Sequence, residues 1–149
     1  MDELTDEHLF LGEEPSSYAA SFRQLFVYQK SMKLAREVFL ISLKFPKEER
    51  YSLTDQIRRS SRAISANIGE AWGKREYHAH FISKLSDSLS EAHETQVWLD
   101  HAKDCNYVNP QTHQRLDSIA NEVGALIRAT SKKAHNFCGK LPRTTPPQK

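Results

Sequence analysis

Residues 51–73 have the spacing of one amphipathic helix, and this segment constrains the fold more than any other part of the chain. Its apolar residues recur three and four positions apart, which places them on one side of a helix. The residues on that side are Leu53, Ile57, Ser60, Ile64, Ile68 and Ala71. Ser52, followed by Asp55, indicates a capping box at the start. Gly73 is typical of a C-terminal stop, and Gly69 is expected to permit close packing or a bend.

Three other segments carry the same helical period. One ends before Pro46, a second covers residues 76–105, and a third starts at Asn109 and Pro110, a typical cap and first helical position. Their expected core residues are, in chain order, Leu25, Tyr28, Met32, Ala35 and Phe39; Phe81, Leu85, Ser88, Ala92, Thr95, Leu99 and Ala102; and Leu116, Ile119, Val123, Leu126, Ile127, Thr130, Ala134 and Phe137. In the segment 76–105, Ile82, Leu89 and Val97 are expected to widen the apolar stripe. No segment alternates with period two, so the sequence predicts no β-sheet.

Four helices joined by short connections predict an all-α fold, an antiparallel up-and-down four-helix bundle. We assign the bundle to residues 23–138, a length that suits one domain with a single core. Residues 1–22 contain six acids and no lysine or arginine, and we interpret them as an acidic, largely flexible arm. Residues 139–149 contain three prolines, and we interpret them as a flexible tail that cannot continue the last helix.

The formal net charge of +2 conceals an uneven distribution. The chain has 21 basic and 19 acidic residues, so removing the six acids of the arm leaves a net charge of +8. This surplus favours polyanionic partners, with an ordinary solvated surface as the alternative. The two cysteines are isolated, and there is no secretory signal and no run of about 18 apolar residues. We therefore expect a cytoplasmic protein that does not associate with membranes.

Basic residues on and after two of the predicted helices form the candidate nucleic-acid-binding site. They are Arg58, Arg59, Arg62, Lys74, Arg75, Lys132 and Lys133. Arginine suits phosphate because its planar guanidinium donates two parallel hydrogen bonds. The neighbouring Trp72 and Tyr77 are suited to stacking on unpaired bases. The alternative is a solvated helix whose cations pair with Glu70, Glu76 or Asp55 of the same chain.

Polar residues on or near the inward side of the helices are expected to be structural. We assign Asn67, Glu70 and Gln96 to a hydrogen-bonded network. An unpaired polar group inside a bundle costs about 1–3 kcal/mol, so such groups need partners. A ligand site around Asn67 and Glu70 is the alternative.

The seven histidines prompt a test for metal binding and catalysis. A di-iron bundle requires repeated Glu-x-x-His motifs, and none occurs here. His93 begins a pattern like that of a zinc protease, but Val97 stands where the second histidine ligand belongs. Asp100, His101 and Asp104 remain as a candidate for a surface metal, with solvated histidines as the favoured interpretation. No nucleophile motif or nucleotide-binding loop is present, so we predict no enzymatic activity, no metal and no cofactor.

Five short motifs occur in an order shared with a known family. They lie at residues 25–30, 45–53, 56–59, 64–73 and 89–96, and the likeness extends over residues 22–137. Together they resemble the four-helix-bundle family of 23S rRNA intervening-sequence proteins. The strongest motif, Ile64-Ser-Ala-Asn-Ile-Gly-Glu-Ala-Trp-Gly73, is similar to the family pattern Ser-Ile-Pro-Ser-Asn-Ile-Ala-Glu-Gly-Phe-Gly. It lacks the proline of that pattern and carries the small residues in a different order.

The resemblance implies a helical bundle that often forms a ring-like homopentamer. It also implies a relationship to the accessory variability protein of diversity-generating retroelements, a basic pentamer that binds nucleic acid and a reverse transcriptase. We therefore expect a non-catalytic homo-oligomeric scaffold that binds RNA or DNA through a basic face. The alternative is a protein–protein interaction adaptor with no nucleic-acid role. The acidic arm is expected to fold over the basic face and weaken binding.

Overall fold

The computed structural model of the chain describes residues 20–139, and all regular secondary structure within them is helical. The main helices are α1 (Phe26–Ser42), α2 (Leu53–Gly73), α3 (His78–Asp104) and α4 (Pro110–Lys132). Short 3-10 helices occur at Phe22–Gln24, Lys47–Glu49 and Ala134–Asn136. Each main helix packs against the next, and α1 also packs against α4, which closes the bundle. The predicted all-α, antiparallel four-helix bundle is thereby confirmed.

The arm and the tail lie almost entirely outside the described residues. Phe22, which the sequence analysis placed in the arm, is an exception. Its ring packs over Gly69 of α2 and makes an edge contact with Tyr28, with ring centroids 5.1 Å apart. A Cβ at residue 69 would meet this ring at 3.9 Å, an ordinary contact distance, so the packing of Phe22 does not require a glycine. Along residues 20–139, no helix is both long and apolar enough to cross a membrane.

The starts of α2 and α4 are capped in different ways. Asn109 caps α4 as predicted, because its Oδ1 accepts a hydrogen bond of 2.7 Å from the Thr112 amide. Ser52 makes no such bond for α2, since its backbone is not in the extended conformation that capping residues adopt. Glu49 replaces it: Oε2 accepts hydrogen bonds from the Leu53 amide at 3.1 Å and the Ser52 hydroxyl at 2.8 Å.

Glu49 also joins the two connections at this end of the bundle. Tyr107 donates its hydroxyl hydrogen to Glu49 Oε1 at 3.2 Å, and its ring lies 5.6 Å from that of Phe45. The hydrogen bonds from Ser52, from the Leu53 amide and from Tyr107 lower the pKa of the Glu49 carboxyl below its ordinary value. The α1–α2 and α3–α4 connections are thus held together.

The main core residues predicted for α2, α3 and α4 are all buried, but Val97, which was expected to widen the stripe of α3, is 49% exposed. The polar side chains on these faces form hydrogen bonds inside the core. Ser88 of α3 donates to the Ile64 carbonyl of α2 at 2.8 Å, and the hydroxyls of Thr95 and Ser60 lie 3.0 Å apart between the same helices. No buried side-chain nitrogen or oxygen lacks a partner among residues 20–139. The polar positions therefore carry little cost.

The core face predicted for α1 is confirmed at Leu25, which is 2% exposed, and is wrong further along the helix. The residues that α1 buries are Val27, Ser31, Leu34, Val38 and Ser42. Met32 and Phe39, which the sequence analysis placed in the core, are 40% and 36% exposed. The buried face includes two serines, and the hydroxyl of each donates to a carbonyl three residues earlier in the helix at 2.7 Å. Because these hydroxyls are satisfied locally, small serines allow α1 to approach its neighbours closely.

Candidate nucleic-acid interface

The seven basic residues selected from the sequence do not form one patch. Arg58 lies about 24 Å from Lys74 along the axis of α2, because each residue advances a helix by about 1.5 Å. The Arg58 Nε donates a hydrogen bond of 2.7 Å to the Ser42 hydroxyl. The guanidinium carbons of Arg58 and Arg62 lie 5.0 and 5.9 Å from the centroid of the Phe39 ring. These two arginines therefore pack across α1.

Arg59 lies on a different side of α2, where its positive charge affects the pKa of a carboxyl group of α3. Burial raises the pKa of the Glu91 carboxyl, and a hydrogen bond with Glu94 and its charge raise it further. The positive charge of Arg59 opposes this rise. Consecutive helical residues are about 100° apart, so Arg58 and Arg59 serve different helix–helix interfaces.

The other four basic residues lie at one end of the bundle, which we call the basic end. Lys74 and Arg75 follow α2, while Lys132 and Lys133 end α4. The antiparallel order brings the ends of α2 and α4 beside the starts of α1 and α3. A backbone hydrogen bond of 3.3 Å from the Gly139 amide to the Arg75 carbonyl connects the two groups.

The basic end has a strong surplus of positive charge. The stretches that form it, residues 20–30, 66–84 and 125–139, contain eight lysines and arginines and two acids. Lys30 pairs with Glu122 and Lys84 pairs with Glu70, which leaves six of these basic residues and one acid outside the two ion pairs. The stretches that form the opposite end, residues 40–56 and 98–118, contain five lysines and arginines and six acids. The surface potential is therefore positive at one end and close to balanced at the other.

Arg75 is held in place on an aromatic support. Its guanidinium carbon lies 4.1 Å from the centroid of the Trp72 ring, and Nη1 donates to the Trp72 carbonyl at 3.0 Å. Phe137 lies behind Trp72 with ring centroids 6.3 Å apart. This arrangement leaves Trp72 only 9% exposed, so its ring is closed to a ligand while the cation above it is oriented in advance.

Sequence reasoning missed two cations that belong to the same end. Arg23 stands before α1, with its guanidinium carbon 4.5 Å from the centroid of the Phe22 ring. Arg128 lies one turn before the end of α4 and is exposed. The topology of an antiparallel bundle is the signal that finds them, because it places the start of α1 and the end of α4 beside Lys74.

The structure does not bring Asn67, Glu70 and Gln96 together. Asn67 donates to the Ala63 carbonyl of its own helix at 3.0 Å. Glu70 pairs with Lys84 of α3 at 2.7 Å, and this hydrogen bond and charge lower the pKa of the Glu70 carboxyl. The Gln96 amide donates to two oxygens of α4, Asp117 Oδ1 and Asn121 Oδ1, each at 2.9 Å. Each residue therefore has a separate structural partner.

Two histidines near the ends of α3 and α4 have structural neighbours. His113 lies 2.8 Å from Asp100 through Nε2 and Oδ1, which joins α4 to α3. The ring of His101 lies 5.6 Å from that of Trp98. Within residues 20–139, no group of three histidines, cysteines or acids is arranged to hold a metal ion.

Residues 23–129 match the sequence profile that describes the 23S rRNA-intervening sequence proteins. The chain belongs to this family. A crystal structure of a protein of unknown function from Bacteroides thetaiotaomicron VPI-5482, described as a member of the S23 ribosomal protein family, has a similar fold with a TM-score of 0.64. The two proteins are 31% identical over 71% of this chain and 95% of the other. Among curated proteins, none matches the sequence.

The family match of this 23S rRNA-intervening sequence protein covers only part of the basic end. Arg23, Lys74, Arg75 and Arg128 lie within the matched residues 23–129. Lys132 and Lys133 follow them. The second group therefore lies outside the region that the family profile matches.

Proposed function

We propose that this chain is a non-catalytic homo-oligomeric scaffold that binds nucleic acid, RNA or DNA, through its basic end. The observation that carries the proposal is the imbalance of charge between the two ends of one rigid bundle. Lys74, Arg75, Lys132 and Lys133 carry positive charge where residues 66–84 and 125–139 supply two acids. One of these acids, Glu70, is already paired with Lys84.

The chemistry of the basic end suits phosphate. Lysine and arginine bind the nucleic-acid backbone without reading its sequence, and the bound counterions they release make the affinity depend steeply on salt. Arg75 is pre-oriented on Trp72, so less conformational entropy is lost when its remaining N–H groups bind an anion. The site described here is therefore a positioning surface for phosphates.

Self-association is supported by a second apolar surface on α1. Met32, Phe39, Leu40 and Leu43 are exposed and lie on one side of that helix. Contiguous exposed apolar groups mark interaction surfaces in soluble proteins. A second copy of the chain is the occupant we propose. An oligomer would then present several basic ends to one nucleic acid and raise the overall affinity through multivalency.

A pair of charge-matched variants tests the nucleic-acid proposal. Lys74→Gln with Lys132→Gln neutralises the basic end, and Lys44→Gln with Lys103→Gln removes two exposed lysines from the opposite end. Fluorescence anisotropy with a structured RNA should show weaker binding and a smaller salt dependence for the first pair alone. Each lost phosphate contact lowers the slope of log K against log salt by about 0.7–0.9. Equal losses in both pairs would contradict a localised site.

Light scattering on a size-exclusion column tests the assembly. We expect a mass above that of the monomer, a further shift with RNA at low salt, and a fall towards monomer for Met32→Glu with Leu43→Glu. If RNA does not change the mass of the oligomer, and the protein does not change the anisotropy of the RNA, the proposal of nucleic-acid binding is overturned. That outcome would favour a protein–protein adaptor whose basic end meets an acidic partner.

A further inference from the structure

Two exposed tyrosines lie at opposite ends of the bundle, and only one of them adjoins the basic end. Tyr77, 59% exposed, precedes α3 in the connection that contains Lys74 and Arg75. Tyr51, 84% exposed, precedes α2 at the end where charges balance. Phe39 is also partly exposed, but the guanidinium groups over its ring occupy one face.

The backbone holds Tyr77 in a defined place. Its amide donates to the Lys74 carbonyl and its carbonyl accepts from the Phe81 amide, each at 3.0 Å. The ring lies against that of His80, with centroids 5.4 Å apart and planes at 48°. More than half of the side chain remains open to solvent even so. Tyr77 is thus an aromatic platform on an ordered turn.

Anion-binding groups occur in the same connection as this platform and at the start of the helix that follows it. Tyr77 occupies the N-cap position of α3, no side chain caps that helix, and its first turn contains no acid. Its first amides and the positive end of its dipole therefore add to the charges of Lys74 and Arg75. Glu76 is the single acid of the connection. Trp72, the other aromatic residue here, is buried beneath Arg75 and cannot stack on a ligand.

We infer that Tyr77 stacks on an unpaired nucleobase whose flanking phosphates are bound by Lys74 and Arg75. The ligand of the basic end is then single-stranded or looped nucleic acid, and duplex is bound through phosphates alone. Duplex bases are already stacked inside the helix, whereas an unpaired base exposes a π-face to an aromatic side chain. This inference rests on the proposed function and names the class of ligand for the same site.

The test compares Tyr77→Leu, Tyr77→Phe and Tyr51→Leu in the full chain at fixed low salt. The probes are an unstructured single-stranded RNA oligonucleotide, DNA of the same sequence, and the RNA duplex. Tyr77→Leu should weaken single-strand binding at least about fivefold and leave duplex binding unchanged, since one stacked base contributes at least about that factor. Tyr77→Phe and Tyr51→Leu should bind as the unmodified chain does. A 2-aminopurine base in the single strand should be quenched on binding, except by Tyr77→Leu.

The outcomes separate this inference from the proposed function. Equal effects of Tyr77→Leu on single strand and duplex, or no effect on either, would overturn the inference and leave phosphate binding in place. Failure of the unmodified chain to bind any probe at low salt would overturn both. A loss for Tyr77→Leu that appears with RNA and not with DNA would restrict the ligand to RNA. Circular dichroism melting of each variant checks that the exposed substitution leaves the fold intact.

Discussion

Arg58 donates a hydrogen bond of 2.7 Å from Nε to the hydroxyl of Ser42, and thereby joins α2 to the end of α1. The Ser42 hydroxyl is buried and itself donates to the Phe39 carbonyl, while the guanidinium lies over the Phe39 ring. Arg58, which the sequence analysis predicted to bind phosphate, is thus part of a helix–helix contact.

The Arg58 contact predicts a loss of stability without a loss of nucleic-acid affinity. Arg58→Gln should lower the free energy of unfolding by about 1–2 kcal/mol, because it removes a hydrogen bond to a charged group and a cation–π contact. Arg62→Gln is the matched control and should cost less than Arg58→Gln, because exposed Arg62 loses only a cation–π contact at 5.9 Å and no hydrogen bond. Urea denaturation gives the stabilities and anisotropy gives the affinities. Weaker RNA binding by Arg58→Gln, with unchanged stability, would contradict the prediction.

The buried face of α1 predicts which substitutions in that helix destabilise the bundle. Leu34→Ala should cost about 2–5 kcal/mol, because Leu34 is fully buried and its removal leaves a cavity. Met32→Ala should cost less than about 0.5 kcal/mol in the dissociated chain, because Met32 is exposed. Chemical denaturation over a range of protein concentrations separates folding from association. If Met32→Ala destabilised the chain more than Leu34→Ala, the core face predicted from the sequence would be the correct one.

From the environment of Glu91 we expect that removing its charge stabilises the chain, by an amount that depends on pH. Burial and Glu94 raise the pKa of Glu91 in the folded chain above its ordinary value of 4.5. The unfolded chain therefore releases this proton at lower pH than the folded chain does. As a result, the free energy of unfolding falls as the pH rises above 4.5, and it stops falling once the pH has passed the raised pKa of the folded chain. Glu91→Gln should raise the free energy of unfolding at neutral pH by about 0.2–0.5 kcal/mol.

Two comparisons make the Glu91 prediction specific. The gain should disappear well below pH 4.5, where the carboxyl is protonated in both the folded and the unfolded chain. Glu94→Gln should give a similar gain at neutral pH because it removes the same repulsion, and the double variant should add little. Denaturation curves at several pH values measure these differences. An identical gain at all pH values would show that charge is not the cause.

The acidic N-terminal segment predicts weaker binding of polyanions by the intact chain. Residues 1–19 contain six acids, lie outside the described residues, and join the bundle beside Arg23 at the basic end. Their deletion should raise RNA affinity at low salt, and the difference should shrink as salt screens the charges. The deletion must stop before Phe22, whose ring packs over Gly69. Unchanged affinity at low salt, or an equal gain when the acids are retained in a shortened segment, would contradict the electrostatic explanation.

The sequence by itself determined the number of helices, their order and the buried faces of three of them. In α2 and α4 the apolar residues form one stripe, so the helical period identifies the core side. In α3 the main core residues are identified in the same way, although Val97 is 49% exposed. Asn109 and Pro110 likewise determined where α4 starts. Of the five family motifs, three lie on α2 and α3, one lies at the start of α1, and one covers the connection between α1 and α2.

Only the tertiary structure decided which stripe of α1 is buried and where the cations lie. Leu34 and Met32 stand on two stripes with the same period, and periodicity alone cannot choose between them; packing selects the stripe whose serines permit close approach. Arg58 and Arg62 share a side of α2, but the presence of Phe39 beneath them depends on how α1 packs. Lys74 and Lys132 are distant in sequence, and the antiparallel order of the helices places them at one end. Local spacing determines which residues share one helix face, whereas contacts between helices determine what that face meets.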